Sequence, residues 1–314
     1  MEKNILILSA GRRVELLEIF KKSLKKNSLI KIFTADSYPN FSPACKINKY
    51  SFKLPKCGEE RYTKELLKKC IENKICVVIP TIDDELLILA SKKKIFEKYN
   101  INLVISDLKL VKKSSNKLLT ENIFKNLNIK YPKIYDVNNL RFPCINKPIK
   151  GSSSKNITIV KSFKDLSLNL IENKKNYFSK FIRGYAEFTA DLYFNKKNKL
   201  KALSVRERLD VRNGEVIKSK TDISLTNKIF KYFEKIDGAI GPLTIQFFYN
   251  KKNKDIYGIE INPRLAGGCT LSYYAGMNFP KLLVNEYIFD ESISKILKIK
   301  KNLLLLRYDK DYTK

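Results

Sequence analysis

The sequence predicts an α/β protein in which a parallel-sheet unit is followed by a strand-rich α+β core. Strand-like and helix-like segments alternate up to about residue 106, whereas later segments read as strand pairs joined by short turns. A late strand, within "IEINPRLAGG" at 259–268, sets Glu260 and Asn262 on one face and Ile259 and Ile261 on the other. Alternation favours parallel strands covered by crossover helices, and runs of strands favour antiparallel pairing.

In order, residues 4–10 read as a buried strand. A helix follows, with Val14, Leu16, Leu17, Phe20 and Leu24 at helical spacing. Residues 29–37 form a second strand, leading into an irregular stretch through Cys57. A helix at 60–73, a strand at 76–81, a helix from Asp84 and a strand at 101–106 complete the first unit, set at 1–108. The second unit, 109–314, opens with a helix in "KLLTENIFKNLNIKYP". A strand, a small-residue loop from Gly151, another strand and a helix at 163–172 follow. Two strands then flank a turn at Gly184, with further strands near 200–206 and 215–220. A helix at 224–236 and strands at 243–250 and 256–262 end the pattern.

Composition narrows the chemistry. The chain has no His and six scattered Cys without a C-x-x-C pair, which removes imidazole metal sites, zinc spacing and His-activated nucleophiles. Catalysis must then use carboxylates, Lys, Arg and a metal held by oxygen. No apolar run reaches the roughly 18 residues of a membrane span, so no membrane role and a cytoplasmic location are expected. The net charge of +30 invites a nucleic-acid reading, but the lysines are spread along the chain rather than gathered in a stripe. Anionic small substrates are favoured over nucleic acid.

Parallel sheets bind ligands beyond the carboxyl ends of their strands, where "SAGRR" and "PTIDDE" lie. Arg12 or Arg13 could hold a substrate carboxylate, and Asp83, Asp84 or Glu85 an amino group; both loops also read as tight turns with helix caps. Gly151, Ser152, Ser153 and Ser154, preceded by Lys147, could cradle phosphate oxygens. A β-hairpin would bring Gln246 beside Glu260 and Asn262, three oxygen donors suited to a hard cation. A half-exposed strand with ordinary polar residues is the competing reading. Arg264 joins this face only if the chain stays extended past Pro263.

These segments together resemble the ATP-grasp superfamily. The branch containing the carbamoyl-phosphate synthase large subunit and the pyrrolysine-biosynthesis amino-acid ligase is the most similar. "SAGRRVELLEIF" and "VVIPTIDDELLIL" look like the domain that precedes the grasp fold. "NKPIKGSSSKNITIV", "FIRGYAEFTADLY" and "GPLTIQFFYNKKNKDIYGIEINPRLAGG" look like the grasp domain, and "LLLLRYDKDY" resembles its closing strand. The resemblance implies a pre-ATP-grasp Rossmann-like domain and a two-subdomain ATP-grasp fold, with a small ATP-binding subdomain at about 118–183. Its ligands would be ATP and Mg2+, with Mn2+ as the alternative cation. It places Lys117 and Lys147 on the phosphates, the backbone of Phe181 and Ile182 at adenine and Glu187 on the ribose. Gln246, Glu260 and Asn262 would hold the metal, and Arg264 and Arg206 the transferred phosphoryl group. Two departures stand out: Ser179-Lys180 replace an acidic hinge residue, and Ser153 and Asn156 replace loop glycines.

The expected activity is a carboxylate–amine ligase acting through an acyl phosphate on small-molecule substrates, with a homodimer through the first domain. One rival is phosphorylation of bicarbonate or carbamate, as in carbamoyl-phosphate synthesis. Another is a non-catalytic nucleotide- or nucleic-acid-binding protein.

Overall fold

The computed structural model describes residues 3–25, 29–151, 156–296 and 298–313. The first sheet is built from β1 (Asn4–Ile7), β2 (Ile32–Asp36), β3 (Ser51–Lys53), β4 (Ile75–Ile79) and β5 (Asn102–Leu103), in the order β3-β2-β1-β4-β5. Every pairing is parallel. Its helices are α1 (Val14–Leu24), α2 (Pro43–Ile47), α3 (Tyr62–Glu72) and α4 (Asp83–Glu97). Because β1 is buried on both faces, it is apolar at nearly every position. Leu6 and Leu8 pack toward α3 and α4, while Ile5 and Ile7 face a second core.

That second core joins the two ends of the chain. With Ile5, Ile7 and Leu16 it contains Leu265, Cys269, Met277 and Phe279, carried by or beside α9 (Cys269–Tyr274) and α10 (Phe279–Tyr287). Between these ends, α5 (Leu108–Ser114) and α6 (Lys117–Asn126) lead into a four-stranded antiparallel sheet. It consists of β6 (Ile134–Tyr135), β7 (Cys144–Pro148), β8 (Thr158–Val160) and β9 (Asn176–Lys180), ordered β6-β9-β7-β8. The third sheet is antiparallel, ordered β14-β13-β10-β11-β12-β15. Its strands are β10 (Ala186–Phe194), β11 (Leu200–Arg212), β12 (Glu215–Thr221), β13 (Gly241–Tyr249), β14 (Ile256–Asn262) and β15 (Leu304–Leu306). The helix α8 (Ile223–Phe233) covers its apolar face through Leu225, Ile229 and Phe233, which meet Phe188, Val205 and Phe247.

Several expectations need correction. The strand placed at 101–106 shrinks to β5, because Ser106 leaves the sheet and exchanges hydrogen bonds with Ile240. The helix at 163–172 is a single 3-10 turn at Phe163–Asp165 followed by α7 (Leu168–Glu172). Two start signals five residues apart divide it: a capping box at Ser162 and Asp165, and a Ser167 hydroxyl that accepts from the Leu170 amide. The strand near 200–206 continues to Arg212, because Asn213-Gly214, both at positive φ, close a two-residue hairpin onto β12. The stretch read as irregular contains α2 and β3.

Candidate active site

The antiparallel register determines which side chains meet. On β10, Phe188, Ala190 and Leu192 are buried in the core under α8, so Glu187, Thr189 and Asp191 share the opposite face. Thr189 stands opposite Arg206 on one side and Gln246 on the other, and Gln246 stands opposite Glu260. One row of polar side chains therefore crosses four strands. The adjacent row runs Asn262, Thr244, Asp191, Ser204.

Glu260, Gln246 and Asn262 are half-buried on this face. The Asn262 amide nitrogen donates to Glu260 Oε1 at 2.8 Å, which leaves Asn262 Oδ1 as an acceptor. Among the described residues no group of three carboxylate or thiol ligands gathers at one point. A cation here would rest on one carboxylate and two amide oxygens and draw its remaining ligands from phosphate or water. That donor set fits Mg2+.

Arg206 is 1% exposed, its Nε 2.8 Å from Asp191 Oδ2. The Ser272 hydroxyl donates to the same oxygen at 2.7 Å, and Thr244 approaches Oδ1 at 3.4 Å. Arg206 Nη1 is buried without a protein acceptor. Gly268 allows this placement, since a Cβ there would lie 2.6 Å from Arg206 Nη1 and 2.7 Å from Val216 Cγ1. Its φ of −91° is open to any residue, so the need for glycine is purely one of space. Next to it, Arg208 Nε lies 3.0 Å from Glu187 Oε1 without hydrogen-bond alignment. Burial lowers the Arg208 pKa and raises that of Glu187, outweighing their mutual attraction.

Arg264 does not continue the strand face. The chain bends at Pro263, with the Arg264 amide donating to Asn262 O, and the guanidinium reaches the first domain. Its Nε and Nη2 donate to the two oxygens of Asp83, each at 2.7 Å. Burial opposes the Arg264 charge, but Asp83 and Glu260 outweigh it and raise the pKa. Arg264 thus keeps its place beside Glu260 by a fold-back rather than an extended route.

Lys147 is 8% exposed, with Nζ over the rings of Tyr177 at 5.3 Å and Tyr131 at 6.0 Å. Burial pushes its pKa down to about 8, Lys117 adds repulsion, and Glu260 partly offsets both. Lys117 Nζ donates to Gly151 O at 2.7 Å, and burial lowers its pKa against the pull of Glu260 and Asp83. Two desolvated ammonium groups, one from β7 of the small sheet and one from the start of α6, and one carboxylate from the large sheet therefore act on one space. Gly151 holds φ +120°, a backbone that side-chained residues rarely adopt; Ser152, Ser153 and Ser154 lie outside the described residues. Phe181 and Ile182 line a cleft of about 320 Å³ with Tyr135, Phe142, Arg183 and Tyr257. At the departed hinge position Ser179 is buried in the small sheet, and Lys180 is exposed at this cleft.

The first domain sorts its candidates unequally. Arg12 is exposed and 3.5 Å from Glu215 on β12. Arg13 donates to Thr81 O at 2.7 Å, and burial followed by repulsion from Arg264 lowers its pKa. Asp83 is committed to Arg264, Asp84 is exposed, and Glu85 is 1% exposed. Sequence reasoning missed Asp191, Arg208 as the partner of Glu187, and the Tyr131–Tyr177 pair around Lys147. Asp191 had a signal, the alternation of Glu187, Thr189 and Asp191 along "EFTADLY". The tyrosines had none, because nothing local places them beside a lysine.

A parallel-sheet unit feeding two antiparallel sheets, with a buried lysine on one, a second lysine on the helix beside it and a carboxylate–amide set on the other, defines a nucleotide-grasping α/β protein. The chain belongs more specifically to the ATP-grasp proteins with a PylC-like N-terminal domain: the PylC-like N-terminal domain family matches residues 5–104 and the ATP-grasp domain family residues 114–268. It is 23% identical over 268 residues to the carbamoyl phosphate synthase large chain of Buchnera aphidicola, covering 74% of this chain and 25% of that one. The chain thus spans about a quarter of that relative's length. Among solved structures it resembles N5-carboxyaminoimidazole synthetase from Staphylococcus aureus complexed with ADP. There the TM-score is 0.74 at 18% identity, over 97% of this chain and 82% of that one. It also resembles the biotin carboxylase domain dimer of the Hydrogenobacter thermophilus 2-oxoglutarate carboxylase, in complex with MgADP, ADP and bicarbonate. There the TM-score is 0.75 at 12% identity, over 96% and 73% of the two chains. Among the described residues no helix is long and apolar enough to cross a membrane.

Proposed function

We propose that this chain is an ATP-dependent ligase that joins a carboxylate to an amine through an acyl phosphate. The observation that carries the reading is that Lys147 and Lys117 lie in the field of Glu260, whose row across the sheet ends on Arg206 and beside which Arg264 folds back. The two lysines hold the nucleotide phosphates, the backbone at Phe181 and Ile182 meets adenine, and Glu187 meets the ribose. Glu260, Gln246 and Asn262 hold Mg2+ (or Mn2+), which when bound neutralises phosphate charge. A substrate carboxylate oxygen attacks the γ-phosphorus, and the bond to the ADP oxygen breaks. The amine nitrogen then attacks the acyl carbon, inorganic phosphate leaves, and the nitrogen gives up a proton. Arg264 and Arg206 stabilise the charge that develops in both steps, and the protein's part is positioning and electrostatics. The domains are assigned as 1–108 and 109–314. Arg13, beside Arg264 and poorly solvated, is the better of the two arginines for the substrate carboxylate.

The test measures ADP release with Mg·ATP against amino acids, dipeptides and sugar or nucleotide carboxylates, singly and in pairs. Turnover that requires both an acid and an amine, and is lost in Glu260→Ala, is expected. Turnover with bicarbonate alone would replace the ligase reading by carbamoyl-phosphate-type chemistry. Tight, salt-sensitive nucleic-acid binding without turnover would replace it by a binding role.

A further inference from the structure

A second cleft, of about 240 Å³, lies wholly within the first domain at the carboxyl ends of β1, β2 and β4. Ser9, Asp36, Lys56, Cys57, Ile82 and Glu85 are among its lining residues, and none comes from the grasp sheets. Glu85 is 1% exposed, yet its carboxyl meets only neutral groups: the Ser9 hydroxyl at 2.5 Å and the Tyr62 hydroxyl at 3.1 Å, both on Oε1. The other oxygen has the Thr81 amide at a distant 3.4 Å. Among the described residues no cation pairs with it. Ser9 holds φ +43°, an uncommon backbone for a side-chained residue, and from there it reaches Glu85. Asp36 is fixed on the other side by the amides of Gly11 and Tyr38, each at 3.0 Å. The one cationic lining residue, Lys56, is exposed and lies over the Tyr38 ring. In a chain with 62 basic and 32 acidic side chains, a pocket with two carboxylates and one outward lysine reverses the general charge balance.

We propose that this cleft binds the primary ammonium group of a small amine, with Glu85 as its buried counter-charge and Asp36 as a second acceptor. The inference deepens the ligase reading, on which it rests for calling that amine a substrate, and it names the substrate as one that presents a charged amino group. Burial raises the Glu85 pKa to about 7, and its hydroxyl and amide partners only partly offset this. A bound ammonium favours the ionised carboxyl, so binding near neutral pH releases a proton from Glu85 to solvent.

Binding is read apart from turnover, by titration calorimetry without ATP on the full chain and on its Glu260→Ala variant. The probes are 1,4-diaminobutane and lysine, with glutarate and ribose as controls. Location is read by the rate of Cys57 alkylation by iodoacetamide, followed by mass spectrometry. Either amine is expected to bind both proteins, slow Cys57 alkylation and release protons at pH 7. Glu85→Gln, which can still accept from Ser9 and Tyr62, is expected to weaken amine binding roughly 10- to 100-fold. Failure of both amines to bind or protect Cys57, unchanged affinity in Glu85→Gln, or protection by glutarate or ribose alone would each overturn the assignment. Loss of turnover with amine binding intact would instead count against the ligase reading.

Discussion

Replacing Asp191 by Asn keeps the size of the side chain and removes its charge. Arg206 would then be a cation at 1% exposure without Asp191, its one ionic partner among the described residues, and with Nη1 already lacking an acceptor. Breaking a buried pair by neutralising one partner costs about 3–5 kcal/mol, because the remaining charge stays desolvated. For a chain of 314 residues, an unfolding entropy of about 2.1 cal/mol/K per residue amounts to about 0.7 kcal/mol/K. The melting midpoint should therefore fall by about 5–8 °C. Differential scanning calorimetry at pH 7 on Asp191→Asn, Arg206→Met and the double variant measures this. The double variant should lose less than the sum of the single losses, since it leaves no orphaned charge. Melting within about 1 °C of the parent in Asp191→Asn, or strict additivity in the cycle, would refute the buried-pair account.

Other perturbations probe neighbouring features. Nucleotide phosphate should restore the Lys147 charge that burial disfavours, so ATP binding should take up a proton between pH 8 and roughly 10 and weaken as pH rises through 8. Calorimetry in two buffers of different ionisation heat at pH 8.5 reads the uptake, which Lys147→Met should abolish. For stability without ligand, Lys147 makes the fold more stable as pH rises from 8 toward 10.5, where only the unfolded chain holds the extra proton. Gly268→Ala should cost about 1–3 kcal/mol, since the guanidinium it strikes is pinned by Asp191 and cannot retreat; urea unfolding gives the value. Asp83→Asn should lower kcat more than tenfold with the KM for ATP within about twofold, by releasing Arg264 from its two-point hold. Asp84→Ala should leave both constants unchanged.

What the sequence disclosed follows from how far apart the interacting residues lie. Strand periodicity was enough to pair Gln246 with Glu260, because a short hairpin joins them and side-chain alternation does the rest. Asn213-Gly214 was an equally local signal that went unread, a two-residue turn that lengthens β11 and brings Glu215 within reach of Arg12. By contrast, α9 and α10 went unread. They are short, follow Gly268 and Asn278 at their N-caps, and are buried at most positions, so neither shows a polar stripe. The acidic run "DDE" split three ways for reasons no local pattern carries. Asp83 finds an arginine 181 residues away, Asp84 faces water, and Glu85 turns inward to a serine 76 residues earlier.

The shared core between the two ends of the chain bears on how the protein is made. The parallel sheet emerges first during synthesis, but the core that holds Ile5 and Ile7 of β1 and Leu16 of α1 is completed by Leu265, Cys269, Met277 and Phe279, which emerge some 250 residues later. At about 5–20 residues per second that interval lasts roughly 12–50 seconds. For that time the nascent first domain presents an apolar surface around β1 and α1 that α9 and α10 have yet to cover, so a chaperone that binds such surfaces should engage the ribosome-bound chain until α10 has cleared the exit tunnel.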